Sequence, residues 1–338
     1  MIILNEKKKV ILIFVPILVV LIVLGILVGN LFKNKENNDN IAEVPTYQTS
    51  YSVSKVYLAD KENTLVPLSI KYQSFDSVGE ELVYLLTQLK ENSSISTDTF
   101  NGLIPSDATI KSLELANGIV SVNYDEKFLN YEKQNELKIL ESLVWTLCDY
   151  EGVEGVSLLV NDERLTNMPL NNTPIDKVLT RQIGINNYLL TSSIIQKGER
   201  VLSYYEKEIN DKYYYVPVTH YVSNKDDLSI YDLTVSTLFN EPGITSSLQV
   251  CRCLKDTEMV TNAILTDNIL YLSLTEDILF DEATVSLDIY NLFKEVSVLF
   301  EEVEDVSFLM ELEEVPVNGL ENEENKEVSV IELNKFYI

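Results

Sequence analysis

The chain contains an internal repeat, in which one order of apolar runs, turns and polar positions recurs about 150 residues further along. Three pairs of similar segments carry the repeat: Ala116–Tyr124 with Thr266–Leu274, Val66-Pro67 with Val216-Pro217, and Gly152–Ser157 with Glu302–Ser307. Because the three pairs keep one spacing, isolated chance identities do not explain them. The sequence therefore predicts two modules of the same fold arranged in tandem.

Apolar periodicity predicts five elements in the first module. Alternation favours strands, a spacing of three or four favours helices, and Asn117-Gly118 is a strong hairpin signal. The predicted elements are strands at Val53–Leu58 and Leu65–Tyr72, a helix through Leu82, Leu85, Leu86 and Leu89, strands at Thr109–Leu115 and Ile119–Tyr124, a helix through Leu137, Leu140, Val144 and Leu147, and a strand at Val156–Val160. The order is hairpin, helix, hairpin, helix, strand.

The second module repeats this order, with a longer loop expected in its first hairpin. Its predicted elements are strands at Val201–Tyr205 and Tyr213–Tyr221, a helix around Asp227–Asn240, strands at Met259–Leu265 and Ile269–Leu274, a helix through Ile289, Leu292, Val296 and Leu299, and a strand at Val306–Met310. Two amphipathic helices can cover the apolar face of each sheet. We expect the α+β class, as two tandem two-layer domains, each with its own core.

Composition divides the chain into seven predicted segments. They are a cytoplasmic N-terminus (1–9), a transmembrane anchor (10–32), a flexible tether (33–50), the first domain (51–170), a linker (171–198), the second domain (199–318) and an acidic C-terminal tail (319–338). The tether is polar and has no apolar period, which is typical of flexible segments.

The anchor is predicted from an uncharged run rich in Val, Ile and Leu between Val10 and Phe32. As a helix this run is long enough to cross a bilayer. A cleaved signal peptide is the alternative, but the run exceeds a usual signal core and no small-residue cleavage site follows it. No cysteine near its end could accept a lipid. Three lysines at positions 7–9 favour a cytoplasmic N-terminus, so we expect a single-pass cell-membrane protein whose bulk is extracytoplasmic.

The charge and the motif content exclude several classes of function. With 53 acidic and 26 basic side chains, the formal net charge is −27, and such a surface repels nucleic acid. Nucleotide-binding loops, the serine-hydrolase elbow and histidine-rich zinc patterns are absent from the sequence. The single histidine, His220, alternates with valines on a predicted strand, where packing is its ordinary role. We expect no cofactor, no metal and no catalytic residue.

Cysteines are predicted to contribute little to the fold. Cys251 and Cys253 are two residues apart, so on a strand they point the same way and do not easily bridge. Cys148 lies in the other module.

Acidic pairs follow the same strand in both modules, at Asp125-Glu126 and Glu276-Asp277. As a functional pair they could bind a cation or protonate a glycosidic bond, which keeps a cell-wall hydrolase as an alternative. Acids at a turn before a helix also satisfy free backbone amides. Their recurrence in both copies favours this structural interpretation.

Tyrosines crowd the first hairpin of the second module, at Tyr204, Tyr205, Tyr213, Tyr214, Tyr215 and Tyr221. Tyrosine has a high strand propensity, so about half of them should face the core. The remaining aromatic face could contact a protein or a sugar. We select Tyr204, Tyr213 and Tyr215 as candidate contacts for a partner or a glycan.

The segment Ser142–Val160, which reads SLVWTLCDYEGVEGVSLLV, resembles the helix-to-strand signature of the GerMN domain. That domain typifies the GerM family of sporulation and spore germination proteins. Residues similar to the family's occur in order at Val56–Leu58, Ile104-Pro105 and Asn117–Val120, and Thr180–Asn186 looks like the segment that leads into a second copy. The likeness covers residues 50 to 318.

The chain departs from the family pattern in the second module at Phe300-Glu301-Glu302, and it lacks the lipid-bearing cysteine of some relatives. The resemblance implies a ring-building-like α+β fold and a role in envelope assembly during spore formation. We therefore expect a non-catalytic scaffold whose partners are envelope or membrane proteins, or further copies of itself. Peptidoglycan binding through the tyrosines is the alternative.

Overall fold

The computed structural model describes residues 50–187, 198–224, 227–242, 247–254, 259–275, 279, 283–300, 302–320 and 334. The predicted anchor at 10–32 and nearly all of the tether lie outside these residues. Within the described part of the chain, no helix is both long and apolar enough to cross a membrane.

The first module contains two antiparallel hairpins, two helices, a parallel strand and a short antiparallel strand that ends it. Its elements are β1 (Tyr51–Ala59), β2 (Leu65–Gln73), α1 (Val78–Gln88), β3 (Ile110–Ala116), β4 (Ile119–Tyr124), α2 (Glu136–Cys148), β5 (Gly155–Val160) and β6 (Glu163–Arg164). Strands β1 and β2 form one sheet, and β3-β4-β5-β6 form a second sheet in that order. Because α2 carries the chain back across the sheet, β5 pairs in parallel with β4.

The second module has the same plan with one additional strand. Its elements are β7 (Glu199–Ile209), β8 (Lys212–Val222), α3 (Ile230–Leu238), β9 (Leu248–Val250), β10 (Val260–Thr266), β11 (Ile269–Leu274), α4 (Leu287–Val296), β12 (Asp305–Met310) and β13 (Glu313–Val315). The sheets are ordered β8-β7-β9 and β10-β11-β12-β13, and β12 runs parallel to β11.

Local geometry confirms that the modules are repeats. Strands β10, β11 and β12 each begin 150 residues after β3, β4 and β5. Both second hairpins have a bulge at the same place, before Ser112 and before Asn262. Both also turn through two residues with positive φ: Asn117-Gly118 in one module and Asp267-Asn268 in the other. The predicted order of elements and the α+β class are confirmed.

Serine side chains cap the N-termini of three helices. The hydroxyls of Ser77, Ser229 and Ser286 accept hydrogen bonds from backbone amides in the first turns of α1, α3 and α4. Each bond satisfies an amide that has no partner within the helix. A serine before an amphipathic run therefore fixes where three of the helices begin.

The core is shared between the modules, and the expectation of two separate cores is wrong. One hydrophobic cluster extends through both modules, and the residues from Ser50 onward form one compact unit. The two first hairpins bury Tyr57 and Tyr204, which occupy equivalent registers opposite Pro67 and Pro217. The segment after residue 170 also packs inward, burying Ile175, Leu179 and Ile185.

Two local predictions in the second module need correction. Strands β7 and β8 extend to a two-residue turn at Asn210-Asp211, so the first hairpin has a short loop instead of a longer one. Cys251 and Cys253 form a disulfide, with their Cα atoms 5.3 Å apart. The prediction against a bridge assumed a strand, whereas these residues lie in the turn that follows β9.

Candidate interaction site

The junction between the modules contains a buried network of charged groups. Lys55 of β1 forms an ion pair with Glu295 of α4, and their side chains are 7% and 3% exposed. The hydroxyl of Tyr204 donates to Glu295 Oε2 at 2.9 Å. Burial acts to lower the pKa of Lys55, but the carboxylates of Asp149 and Glu295 raise it overall. The network therefore holds a charged lysine between the modules.

In a second network the lysine belongs to the second module and its acidic partners belong to the first. Lys207 of β7 lies 2.5 Å from Asp60 Oδ2 and 2.9 Å from Glu62 Oε2, both in the loop between β1 and β2. The ammonium group also donates to Thr64 Oγ1 at 2.9 Å. A lysine from each module thus enters the other module, which fixes their relative orientation.

A cleft of about 780 Å³ opens beside Lys55, where the last turns of α2 and α4 come together. On its wall the Arg181 guanidinium lies 5.6 Å from the centroid of the Trp145 ring. Arg181 Nη2 also lies 3.4 Å from Asp149 Oδ1. The charged groups at its base, Lys55, Asp149, Arg181 and Glu295, are paired with one another.

The three candidate tyrosines do not form one surface. Tyr204 is fully buried at the junction. Tyr213 is 39% exposed, and its hydroxyl donates to Glu208 at 3.1 Å. Tyr215 is partly buried, which raises the pKa of its hydroxyl to about 12. The strand pleat places Tyr213 and Tyr215 on one face of β8, so only these two could share a contact surface.

An exposed cation–aromatic pair lies on this face. The Arg252 guanidinium carbon is 3.4 Å from the Tyr213 ring centroid, and Arg252 Nε donates to Glu206 Oε2 at 2.7 Å. We define these two stacked residues as the Tyr213–Arg252 platform. Sequence reasoning missed Arg252, although its place between Cys251 and Cys253 is the signal that marks a constrained turn.

The acidic pair of the first module has structural partners. Asp125 Oδ1 accepts from the Thr109 amide at 3.0 Å. Glu126 Oε2 accepts from Asn161 Nδ2 at 2.8 Å, and this hydrogen bond lowers the pKa of Glu126. The second pair, Glu276-Asp277, lies outside the described residues. The described pair thus ties together the ends of β3, β4 and β5, whereas the Asp125 side chain does not cap the helical turn that follows it, which is the role that the sequence pattern favoured.

His220 lies against Tyr205, with its Nε2 atom 3.1 Å from the tyrosine hydroxyl. Burial lowers the pKa of His220 to about 4, so the ring is neutral near pH 7. In the described part of the chain, no three His, Cys, Asp or Glu side chains are grouped so that they could hold a metal ion.

Comparisons with known proteins agree with this architecture. Residues 55–166 match a family model described as sporulation and spore germination. The spore germination protein GerM of Bacillus subtilis is 30% identical over 183 residues, which cover 54% of this chain and 50% of the relative. The solved tandem GerMN domains of B. subtilis GerM align with a TM-score of 0.67 and 25% identity, covering 80% of this chain and 92% of that one.

The fold and its repeat thus define a tandem GerMN protein, of the class found in sporulation and spore germination. The chain is similar to the GerM family in its first module and, by structure, across both modules. Its alignment with the curated relative spans half of that protein's length.

Proposed function

We propose that the protein is a non-catalytic, membrane-anchored scaffold or assembly factor of the cell envelope, acting in sporulation or germination. Similarity to GerM and to its tandem GerMN domains supports the biological setting. One structural observation supports the scaffold role: buried ion pairs join the two modules into one body. Such a body presents its outer surfaces to partners in a fixed arrangement, which is what an assembly platform requires.

The proposal places residues 10–32 in the cell membrane and the two modules outside it. A protease added to intact cells should digest the modules while leaving a cytoplasmic control protein whole. Deleting residues 10–32 should release the protein from the membrane fraction. Full protection from the protease in intact cells would contradict the proposed orientation.

The partners are envelope or membrane proteins, or further copies of the chain. Strands β3 and β10 lie at the outer edges of the four-stranded sheets, where backbone groups can pair with another strand. Glu114 and Ile264 occupy equivalent positions on these strands, and Ile264 is 53% exposed. These edges are the surfaces to probe.

Photo-crosslinking amino acids at Glu114 and at Ile264 test this surface in living cells. Mass spectrometry should identify the same envelope or membrane partner, or the chain itself, from both positions. The matched control is Val83, an exposed residue on α1 in the first module. Equal crosslinking from all three positions, or none from β3 and β10, would remove these edges from the proposal.

A second candidate function is peptidoglycan binding, and the Tyr213–Arg252 platform favours it. A flat aromatic ring beside hydrogen-bonding groups is suited to contact with a sugar. Tyr213→Ala should abolish retention on purified cell wall. Tyr51→Ala is the matched control, because Tyr51 is 59% exposed and also lies under a cation, Lys71. Absence of retention by the unmodified protein would exclude this candidate.

A further inference from the structure

Strands β2 and β8 meet edge to edge where the modules join, yet they belong to separate sheets. Each carries a proline at the contact, Pro67 and Pro217, and proline has no amide hydrogen to donate. Val66 and Val216, which precede the prolines, are both fully buried. The two edges are therefore close, buried and unable to form a regular ladder.

One asparagine bridges the edges on the side of the first module. Asn186 Oδ1 accepts from the Leu65 amide at 2.9 Å, and its Nδ2 donates to the Leu65 carbonyl at 2.7 Å. The same Nδ2 donates to the Pro217 carbonyl at 3.0 Å, across the junction. The side-chain amide thus takes the place of a peptide group in a strand.

A second asparagine makes the same contacts with the modules exchanged. Asn334 Oδ1 accepts from the Tyr215 amide at 2.7 Å, and its Nδ2 donates to the Tyr215 carbonyl at 2.8 Å. That Nδ2 also donates to the Pro67 carbonyl at 2.7 Å, across the junction. Leu65 and Tyr215, like Pro67 and Pro217, are equivalent positions of the repeat.

The backbone at the two asparagines is also alike. Asn186 and Asn334 have φ values of 48° and 57°, the left-handed region that asparagine tolerates better than most residues. The carbonyl of Ile185 accepts from the Thr219 amide, and the carbonyl of Asn334 accepts from the Ser69 amide. Thr219 and Ser69 are again equivalent positions, but the accepting carbonyl precedes the asparagine in the first case and belongs to the asparagine in the second, so this main-chain contact is offset by one residue.

We infer that the edge strand and the asparagine of each module together form one half of a twofold, self-complementary surface whose partner is a second module of the same kind. In this chain the other half is already present, so the surface is filled internally. A twofold contact closes on itself and does not propagate. Assembly of several chains therefore has to use faces other than β2 and β8, whatever the identity of the partner.

The two asparagines differ in their surroundings. Asn186 is fully buried, and its Oδ1 also accepts from Lys138 Nζ at 2.8 Å. Its backbone amide donates to Glu141 Oε2. Asn334 is only partly buried. Loss of Asn186 should therefore destabilise the junction more than loss of Asn334.

Hydrogen exchange on the full-length protein tests the inference. Glycine is the informative substitution, because it keeps positive φ without strain and removes the side-chain amide. Asn334→Gly should increase exchange at the Tyr215 amide about tenfold and leave the Leu65 amide unchanged. Asn186→Gly should show the reverse pattern. Unchanged exchange at Tyr215 in Asn334→Gly would overturn the inference, as would equal increases at both amides in each variant.

Two further experiments, an aspartate substitution and a cleavage assay, test the inference if a glycine variant unfolds. Asn334→Asp retains the acceptor for the Tyr215 amide but loses donation to the Pro67 carbonyl, so it should keep exchange slow while weakening the junction. A protease site placed within residues 188–197 allows the folded chain to be cut between the modules. The two pieces should remain together after cleavage and separate when both asparagines are glycine. Pieces that separate with both asparagines intact would exclude a self-complementary surface.

Discussion

Lys55 and Glu295 are 240 residues apart in sequence and form an ion pair at the junction, with both side chains almost completely buried. A buried pair is costly to break, because removing one partner leaves an uncompensated charge in a medium of low dielectric. The pair also joins a strand of the first module to a helix of the second. Its energetic role is therefore to specify one relative arrangement of the modules.

Breaking this pair should cost more than removing it. Lys55→Met should lower the free energy of unfolding by about 3–5 kcal/mol, because Glu295 stays buried without its counter-charge. Adding Glu295→Gln should recover a large part of the loss, since glutamine is neutral and can still accept from Tyr204. Urea denaturation of both variants measures the difference. A double variant no more stable than Lys55→Met alone would refute this account.

The carboxylate of Glu136, the first residue of α2, is bound by several uncharged hydrogen-bond donors, and we expect these bonds to stabilise the folded protein. Its carboxylate accepts from the Tyr131 hydroxyl, the Leu170, Asn171 and Thr173 amides and the Thr173 hydroxyl. Burial acts to raise the pKa of Glu136, but these hydrogen bonds lower it to about 2. Glu136→Gln should cost about 3 kcal/mol at neutral pH.

The pH dependence provides the check on Glu136. A depressed carboxyl pKa gives stability that is complete above about 4.5 and is lost as the pH falls towards 2. The difference in unfolding free energy between the native protein and Glu136→Gln should therefore shrink across this window. A difference that stays constant down to pH 2 would mean that the charged form is not favoured by folding.

His220 should make the protein sensitive to acid over a higher pH range. Its pKa is lowered to about 4 by burial, from an ordinary value of 6.5. Because the folded state favours the neutral ring, stability is complete above pH 6.5 and falls as the pH drops towards 4, by at most about 3 kcal/mol. His220→Gln should flatten the stability profile between these two pH values, as measured by thermal unfolding. An unchanged slope would argue against a buried neutral ring.

Gly102 should tolerate no side chain, because a Cβ there would lie 2.3 Å from the backbone of Leu89 at the end of α1. Gly102→Ala must displace one of these backbones, and we expect a loss of about 2 kcal/mol or more. Gly79→Ala is the control, since nothing lies within 4 Å of its Cβ position in α1. That variant should be neutral or more stable by up to about 1 kcal/mol. Similar melting temperatures for the two variants would contradict the expectation.

Local patterns in the sequence predicted most of the secondary structure. The Asn117-Gly118 turn, the strand alternation and the leucine spacings depend on neighbours within a few residues, so they are visible without the fold. The candidate contact residues were harder to predict. Tyr204 and Tyr213 have the same β propensity, yet one is fully buried at the junction and the other lies on the surface. Only the position of the partner module separates them.

The sequence by itself determined the repeat, the order of the elements, the α+β class and the likeness to the GerM family, because each of these depends on the order of residue types along the chain. Only the tertiary structure decided that the two modules share a core and that Lys55 pairs with Glu295. It likewise decided that Asn186 and Asn334 have reciprocal contacts. These relations join residues far apart in sequence, so no local pattern reveals them. The asparagine contacts in particular form because the buried edges of β2 and β8 cannot complete a ladder, and their backbone groups need other hydrogen-bond partners.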